Sequence, residues 1–241
     1  MELKNIFKME IFKNRNDATY LKIIAILTVA AAVASILGIL MMKNEISEWS
    51  TIVILLPVFT VIALAIFSLL YPFHLLNVDY KNKVMSLIFA SGVSREKYYF
   101  VKISATILSC LIATFMILFI PSVTFLIVYP DEFVKFIRNI ITSFNSSDIF
   151  SFVLSAIIGL IANIVMLTTA VIITKGKTSG IFLYLAFVFI VSIIQTSFKI
   201  PLLLTGVSHI SNNFYIDTVI SIVKILVFAL IGLHVLRKQD L

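Results

Sequence analysis

Six long apolar runs alternate with shorter polar and charged segments along this chain. A helix needs about 20 apolar residues to cross the roughly 30 Å hydrocarbon core of a bilayer, and every run is close to that length or longer. The runs are continuous, whereas the strands of a membrane barrel would alternate between apolar and polar residues. The pattern therefore predicts an all-α polytopic membrane protein, a single transmembrane domain over residues 1–241 with helices at residues 23–42, 51–78, 103–129, 149–174, 178–198 and 218–236.

Composition and charge placement support a membrane protein with both termini in the cytoplasm. Hydrophobic residues make up 61% of the chain and charged residues 13%, whereas soluble domains carry about 25% charged residues. With the N-terminus inside, 14 of the 19 Lys and Arg residues fall in cytoplasmic segments and four in external ones, the bias that sets membrane orientation. The net charge of +7 then indicates topology and contact with anionic lipid, and no nucleic acid is predicted as a partner.

The first 20 residues are predicted to form an amphipathic helix on the inner face of the membrane. On a helical wheel, its apolar face consists of Leu3, Ile6, Phe7 and Ile11. Its basic face consists of Lys4, Lys8 and Arg15. Glu10 and Phe12 interrupt this pattern, and a frayed basic tail is the alternative.

Polar residues inside the predicted spans are candidates for a substrate path, because they are costly in lipid. Lys224 lies in the sixth span, seven residues after Asp217, which is about 10 Å along a helix and too far for direct pairing. Its alternative role is to extend toward the outer interface. Asn163 lies near the middle of the fourth span, where a hydrogen bond to a neighbouring helix is the alternative.

Small residues recur every four positions in the first span, at Ala30, Ala34 and Gly38. This spacing lets another helix approach closely. It is compatible with packing inside one chain and with an interface to a second subunit.

No catalytic or metal-ligating residue is predicted. The three histidines are scattered, the sequence lacks the motifs of metalloproteases and serine hydrolases, and the single Cys110 cannot form an internal disulfide. Gly176-Lys177-Thr178 resembles the end of a phosphate-binding loop, but the earlier glycine of that motif is replaced by Val171.

The segment between the second and third spans, residues 79–102, is basic and amphipathic. It carries apolar residues among its charges, so it is expected to fold and to dock against something on the cytoplasmic side. We name residues 79–102 the coupling loop.

Residues 81–103 resemble the corresponding loop of type 2 ABC permeases. In that pattern Leu87 and Ile88 form an apolar pair, residues 91–95 (Ser-Gly-Val-Ser-Arg) form a turn, and Lys102 opens the third span. Gly92 stands where proline is common in the family. The plan of the chain is also similar: an N-terminal interfacial helix, six spans and a short cytoplasmic coupling helix.

The resemblance implies the permease subunit of an ABC exporter in a bacterial cell membrane, which is a transport subunit and not itself an enzyme. Expected partners are a separate cytoplasmic ATPase, which binds ATP and magnesium, a second permease subunit, identical or related, and membrane lipid. This chain is expected to bind no cofactor. The substrate is expected to be amphipathic or hydrophobic, as antimicrobial, lantibiotic-type and phenol-soluble-modulin-type peptides are. The residues expected to dock the ATPase are Val84, Met85, Leu87, Ile88, Ser91, Gly92, Val93, Ser94 and Arg95.

Two other classes remain open at this point. A carrier driven by an ion gradient normally places carboxylates at the middle of the membrane, and the six predicted spans contain no Asp or Glu. A membrane protein for immunity or assembly, without transport activity, would use the same loop to bind a partner.

Overall fold

The structure, a computed structural model, describes residues 3–43, 67–128, 146–204 and 210–239 and five single positions between residues 130 and 142. Within these residues all regular secondary structure is helical. The four described ranges contain eight helices: α1 (Leu3–Arg15), α2 (Ala18–Lys43), α3 (residues 67–81), α4 (Val84–Ala90), α5 (Arg95–Val128), α6 (Ser146–Ile173), α7 (Ser179–Leu204) and α8 (Ile210–Lys238).

Four of these helices contain segments long and apolar enough to cross a membrane, namely Arg95–Ile117, Val153–Ile173, Ser179–Ser197 and Ile216–Lys238. A fifth is present if α1 and the first part of α2, which meet at an angle of 54°, form one broken span. The all-helical, multi-pass architecture predicted from the apolar runs is therefore confirmed. The number six stays a prediction, because residues 51–66 of the second predicted span lie outside the described residues.

The helices pack in two groups that meet between α5 and α6. In the first group α1 and α2 both pack along α5, and in the second α7 and α8 pack along α6, with α8 in the more extensive contact. One apolar cluster lies between the groups, with Tyr20, Phe67, Tyr71, Cys110 and Ile164 among its members. The outer faces of the helices are apolar and exposed, as contact with lipid requires.

Candidate functional site

The coupling loop forms one short helix between two tight turns. Helix α4 starts after Lys83, which has a left-handed backbone (φ 54°), and the turn after it contains Gly92 at φ 84°. Glycine adopts this conformation without steric cost. The Oγ atom of Ser94 then accepts a hydrogen bond from the backbone N–H of Lys97 at 3.4 Å, which is the capping contact that starts a helix, here α5.

The nine residues predicted to dock an ATPase are divided between the core and the surface. Met85 and Val93 are buried in the largest apolar cluster, and Ile88 packs against that cluster. Leu87, by contrast, is 69% exposed. Of the others, Ser91, Gly92 and Ser94 are exposed and Val84 and Arg95 are half-buried. The surface available to a partner is therefore smaller than the motif indicates.

Both ends of the coupling loop meet in a buried group of charges, which we name the charge cluster: Glu10, Lys13, Asp79 and Lys102. The Nζ atom of Lys102 lies 2.9 Å from Oε2 of Glu10 and 2.5 Å from Oδ2 of Asp79. Lys13 Nζ lies 2.6 Å from Oδ1 of Asp79 and 3.2 Å from Glu10. The Tyr98 hydroxyl donates a further hydrogen bond to Asp79 at 2.9 Å.

The charge cluster is electrically balanced, with two carboxylates and two ammonium groups. The side chains of Glu10, Asp79 and Lys102 are at most 2% exposed, so each charge depends on its partners to offset the loss of water. Burial raises the pKa of the Asp79 carboxyl, but Lys102 and Lys13 lower it by more, so that its pKa lies below the ordinary value. Asp79 is therefore ionised at neutral pH and holds α1, α3 and α5 together.

The charge cluster changes the interpretation of α1. The residues of α1 that are buried are Ile6, Glu10 and Asn14, whereas Leu3 of the predicted apolar face is 50% exposed. Glu10, which was expected only to interrupt the pattern, occupies the centre of the buried face because the lysines neutralise it there. Asn14 adds a hydrogen bond to the Ser109 hydroxyl at 3.1 Å.

A second set of contacts, which we name the terminal clamp, joins the coupling loop to the end of α8. Its members are Arg95, Gln239, Tyr80 and the backbone of Ile172. Arg95 Nη1 donates to the carbonyl oxygens of Leu236, Arg237 and Gln239 at 2.7, 2.8 and 2.7 Å. The side chain of Gln239 donates to the Ile172 carbonyl at 2.5 Å and accepts from the Tyr80 hydroxyl at 3.1 Å.

The turn between α6 and α7 is pressed against the same region. Gly176 has a left-handed backbone (φ 74°), and a Cβ atom placed on it would lie 2.6 Å from Cβ of Tyr80. Only glycine fits such an approach. The neighbouring Lys175 also has a positive φ, of 52°. This turn and the base of the coupling loop are therefore in direct contact.

In the membrane-spanning part, Lys224 is connected to Asp217 through a third residue that the sequence did not indicate. Lys224 Nζ donates to Oε1 of Gln195 at 3.0 Å, and Gln195 Nε2 donates to Oδ1 of Asp217 at 2.7 Å. We name this chain of contacts the polar relay. Because Gln195 belongs to α7 and the other two residues to α8, the relay links these two helices.

Replacing the central amide of the polar relay should weaken the contact between α7 and α8. For Gln195→Leu we expect a loss of about 1 kcal/mol in unfolding free energy, the scale of hydrogen bonds between membrane helices. Reversible unfolding in mixed micelles measures it, with Thr196→Val as control, since the Thr196 hydroxyl donates to the Ser192 carbonyl of its own helix. Equal stability of Gln195→Leu and the unaltered chain would contradict this prediction.

Two of the remaining predicted residues are exposed on their helices. Asn163 is exposed on α6, and Ala30 is exposed on α2 next to the buried Ala31. For Ala34 and Gly38 the structure describes the backbone alone, as part of α2. A role for Lys224 or Asn163 in a substrate path, and a role for the small residues in a subunit interface, stay predictions.

What the arrangement around the coupling loop can do is mechanical. In the described residues no three His, Cys, Asp or Glu side chains come together where they could hold a metal ion. The charge cluster and the terminal clamp instead fix an exposed loop to α1, α3, α5 and α8. No protein-family model, no curated protein and no solved structure matches the chain.

Proposed function

We propose that this chain is the permease subunit of an ABC exporter, driven by ATP hydrolysis in a separate cytoplasmic subunit. Three features support the proposal. These are the resemblance of residues 81–103 to the family's coupling loop, the multi-pass helical architecture, and a short loop helix that is anchored to the rest of the fold. A second permease subunit, identical or related, completes the transporter.

The observation that carries the proposal is the exposure of Leu87 on α4. A leucine that is 69% exposed on a loop helix leaves apolar surface in water, and burying a leucine fully contributes about 1.5–3 kcal/mol. Exposed lysines flank it at Lys81, Lys83 and Lys97. A partner with an apolar pocket and an acidic rim would fit this surface, because opposite charges orient the encounter.

The charge cluster gives such docking a route into the membrane. Asp79 and Lys102 close the base of the coupling loop through their 2.5 Å contact. A displacement of α4 would therefore move the cytoplasmic ends of α3 and α5 together, and Glu10 would carry α1 with them. Coupling of this kind requires two states of the whole unit, one with the ATPase closed and one with it open.

The proposed substrate is amphipathic or hydrophobic, with peptides as the leading class. The outer faces of α5, α7 and α8 carry aromatic and aliphatic side chains such as Phe115, Phe189 and Leu230, which are at least 66% exposed. Such surfaces accommodate lipid and amphipathic chains alike. The few polar contacts within the membrane, chiefly the polar relay, are candidates to contact a charged part of the substrate.

Copurification of the ATPase tests the proposal. Leu87→Glu places a charge in the expected pocket, so we expect the soluble ATPase to be lost from the complex purified under gentle detergent. Leu87→Met should retain it. Ile88 is left unchanged, since it packs against the core and its substitution would confuse docking with folding.

The matched control is Phe12→Glu, which introduces the same charge at a side chain that is 68% exposed on α1. It should leave the ATPase bound. Recovery of the unaltered chain without any ATPase would overturn the proposal and favour a carrier or an immunity protein. ATPase recovery unchanged by Leu87→Glu would show that α4 is not the docking site.

A further inference from the structure

Arg95 stands out because its guanidinium bonds the end of a distant helix of the same chain. One nitrogen, Nη1, donates to three carbonyl oxygens at the end of α8, at distances of 2.7 to 2.8 Å. These carbonyls have no partners within the helix, and a cation at a helix C-terminus also offsets its partial negative charge. Residues 141 to 144 positions apart in the chain are thereby held together.

The same guanidinium contacts the coupling helix from the other side. Its central carbon lies 5.6 Å from the centre of the Phe89 ring in α4, within the range of a cation–π contact. Arg95 therefore lies between α4 and α8 and touches both. A second link runs beside it, since Arg237 forms an ion pair with Glu96.

Gln239 adds a further attachment between the end of α8 and the ends of α3 and α6. It is 6% exposed, and both ends of its amide are used, one with Tyr80 at the end of α3 and one with Ile172 at the end of α6. The residue that follows α8 is thus held among three other segments. An amide buried with both ends paired is costly to displace, because each unmade bond leaves a desolvated polar group.

We infer that Arg95 is a positioning residue that makes α8 move with the coupling helix as one body. The motif interpretation assigned Arg95 to the surface that binds the ATPase, whereas its contacts direct it inward. A push on α4 would then reach α8, which carries Lys224 and Asp217 of the polar relay. The contacts of the terminal clamp do not depend on the proposed function, but the role of the terminal clamp in transport rests on that proposal.

Arginine is suited to this position for geometric reasons. Its planar guanidinium presents donors in a fixed arrangement and stacks on aromatic rings, whereas a lysine ammonium is a single charged point on a flexible stem. Arg95→Lys keeps the charge and should retain the contacts of the terminal clamp only in part. This separates the geometry of the contact from its charge.

Distances between spin labels on α4 and α8 test the inference in the full-length protein. Cysteines replace Ala90 and His234, both exposed, in a Cys110→Ala background, and the labels are measured in lipid nanodiscs. We expect a narrow distance distribution for the parent, a broad one for Arg95→Ala, an intermediate one for Arg95→Lys, and no change for Lys97→Ala. A narrow, unchanged distribution in Arg95→Ala would overturn the inference.

Gln239→Ala provides a second variant in case Arg95→Ala does not fold. It removes the side-chain half of the clamp while Arg95 remains, and it should broaden the distribution to a smaller extent. If the distribution of Gln239→Ala stays as narrow as that of the parent when Arg95→Ala cannot be obtained, the inference fails.

The complex with the ATPase provides the functional arm. Arg95→Ala should still copurify with the ATPase, but the effect of the permease on the ATPase rate should fall by about fivefold or more, the scale of a typical coupling between sites. Loss of copurification with an unchanged label distribution would mean that Arg95 binds the ATPase directly, which contradicts the inference. If the unaltered chain binds no ATPase, the proposed function fails and the label distances alone decide the clamp.

Discussion

Lys102→Met lowers the free energy of unfolding by about 3–5 kcal/mol, the cost of removing one partner from a buried ion pair. The side chain of Lys102 is 2% exposed and contacts both carboxylates of the charge cluster. Without it, Glu10 and Asp79 share the single charge of Lys13, and one negative charge stays buried without compensation. Unfolding in mixed micelles, followed by tryptophan fluorescence or circular dichroism, measures the loss.

Two further variants separate charge from shape at this position. Lys97→Met makes the same substitution at an exposed residue five positions earlier and should change stability by no more than about 0.5 kcal/mol. Adding Glu10→Gln to Lys102→Met restores neutrality and should recover part of the loss, as interacting residues are not additive. If Lys102→Met is as stable as Lys97→Met, the charge cluster does not contribute to the fold.

Gly176→Ala is the second substitution with a large expected effect. It should lower the free energy of unfolding by about 3 kcal/mol. A left-handed backbone costs a residue with a Cβ atom about 1–2 kcal/mol. In addition, the new Cβ atom would lie 2.6 Å from Cβ of Tyr80, and forcing extra volume into a packed site costs about 1–3 kcal/mol. Because Cβ of Tyr80 is fixed to the backbone, it cannot rotate away.

Gly92→Ala is the matched control for this prediction. Gly92 has a similar backbone conformation (φ 84°), but a Cβ atom there meets nothing within 4 Å. It should therefore show the backbone cost alone, about 1–2 kcal/mol. The difference between the two unfolding midpoints isolates the contact with Tyr80, and equal losses would show that α3 shifts to relieve it.

The helical architecture could be predicted because its cause is local. An apolar run in lipid must satisfy its backbone polar groups within the run itself, and a helix does so without reference to other segments. The C-terminal ends of α5, α6 and α8 accordingly lie within two residues of the predicted ends, whereas α5 and α8 begin eight residues before the predicted runs. Their packing partners could not be predicted in the same way, since apolar residues cover both the lipid-facing side and the inward-facing side of such a helix.

The charge cluster was missed because its members are far apart in sequence. Lys102 was recognised as part of a motif and Glu10 only as an interruption of a pattern, and 92 residues separate them. Burial of a single charged residue is improbable, and burial becomes reasonable only when oppositely charged partners are buried with it. The available signal was the position of Asp79 and Lys102, oppositely charged, at the two ends of one loop.

The motif interpretation grouped residues that the fold uses in different ways. Neighbours in the sequence such as Leu87 and Ile88 share a motif but point to different sides of α4, one outward and one toward the core. The separation of Lys224 and Asp217 was likewise considered along one helix alone, where it is too long for direct pairing. The amide of Gln195, on the neighbouring helix α7, bridges that distance.

The partnership of Glu10 with Lys102 also constrains the biogenesis of the protein. Ribosomes add about 5–20 residues per second, so the lysine emerges roughly 5–20 seconds after the glutamate whose charge it balances across 92 positions. During that interval Glu10 has only Lys13, three residues away and 3.2 Å distant in the finished protein. The first helix therefore reaches its final placement only after Lys102, at the start of the third predicted span, has been synthesised.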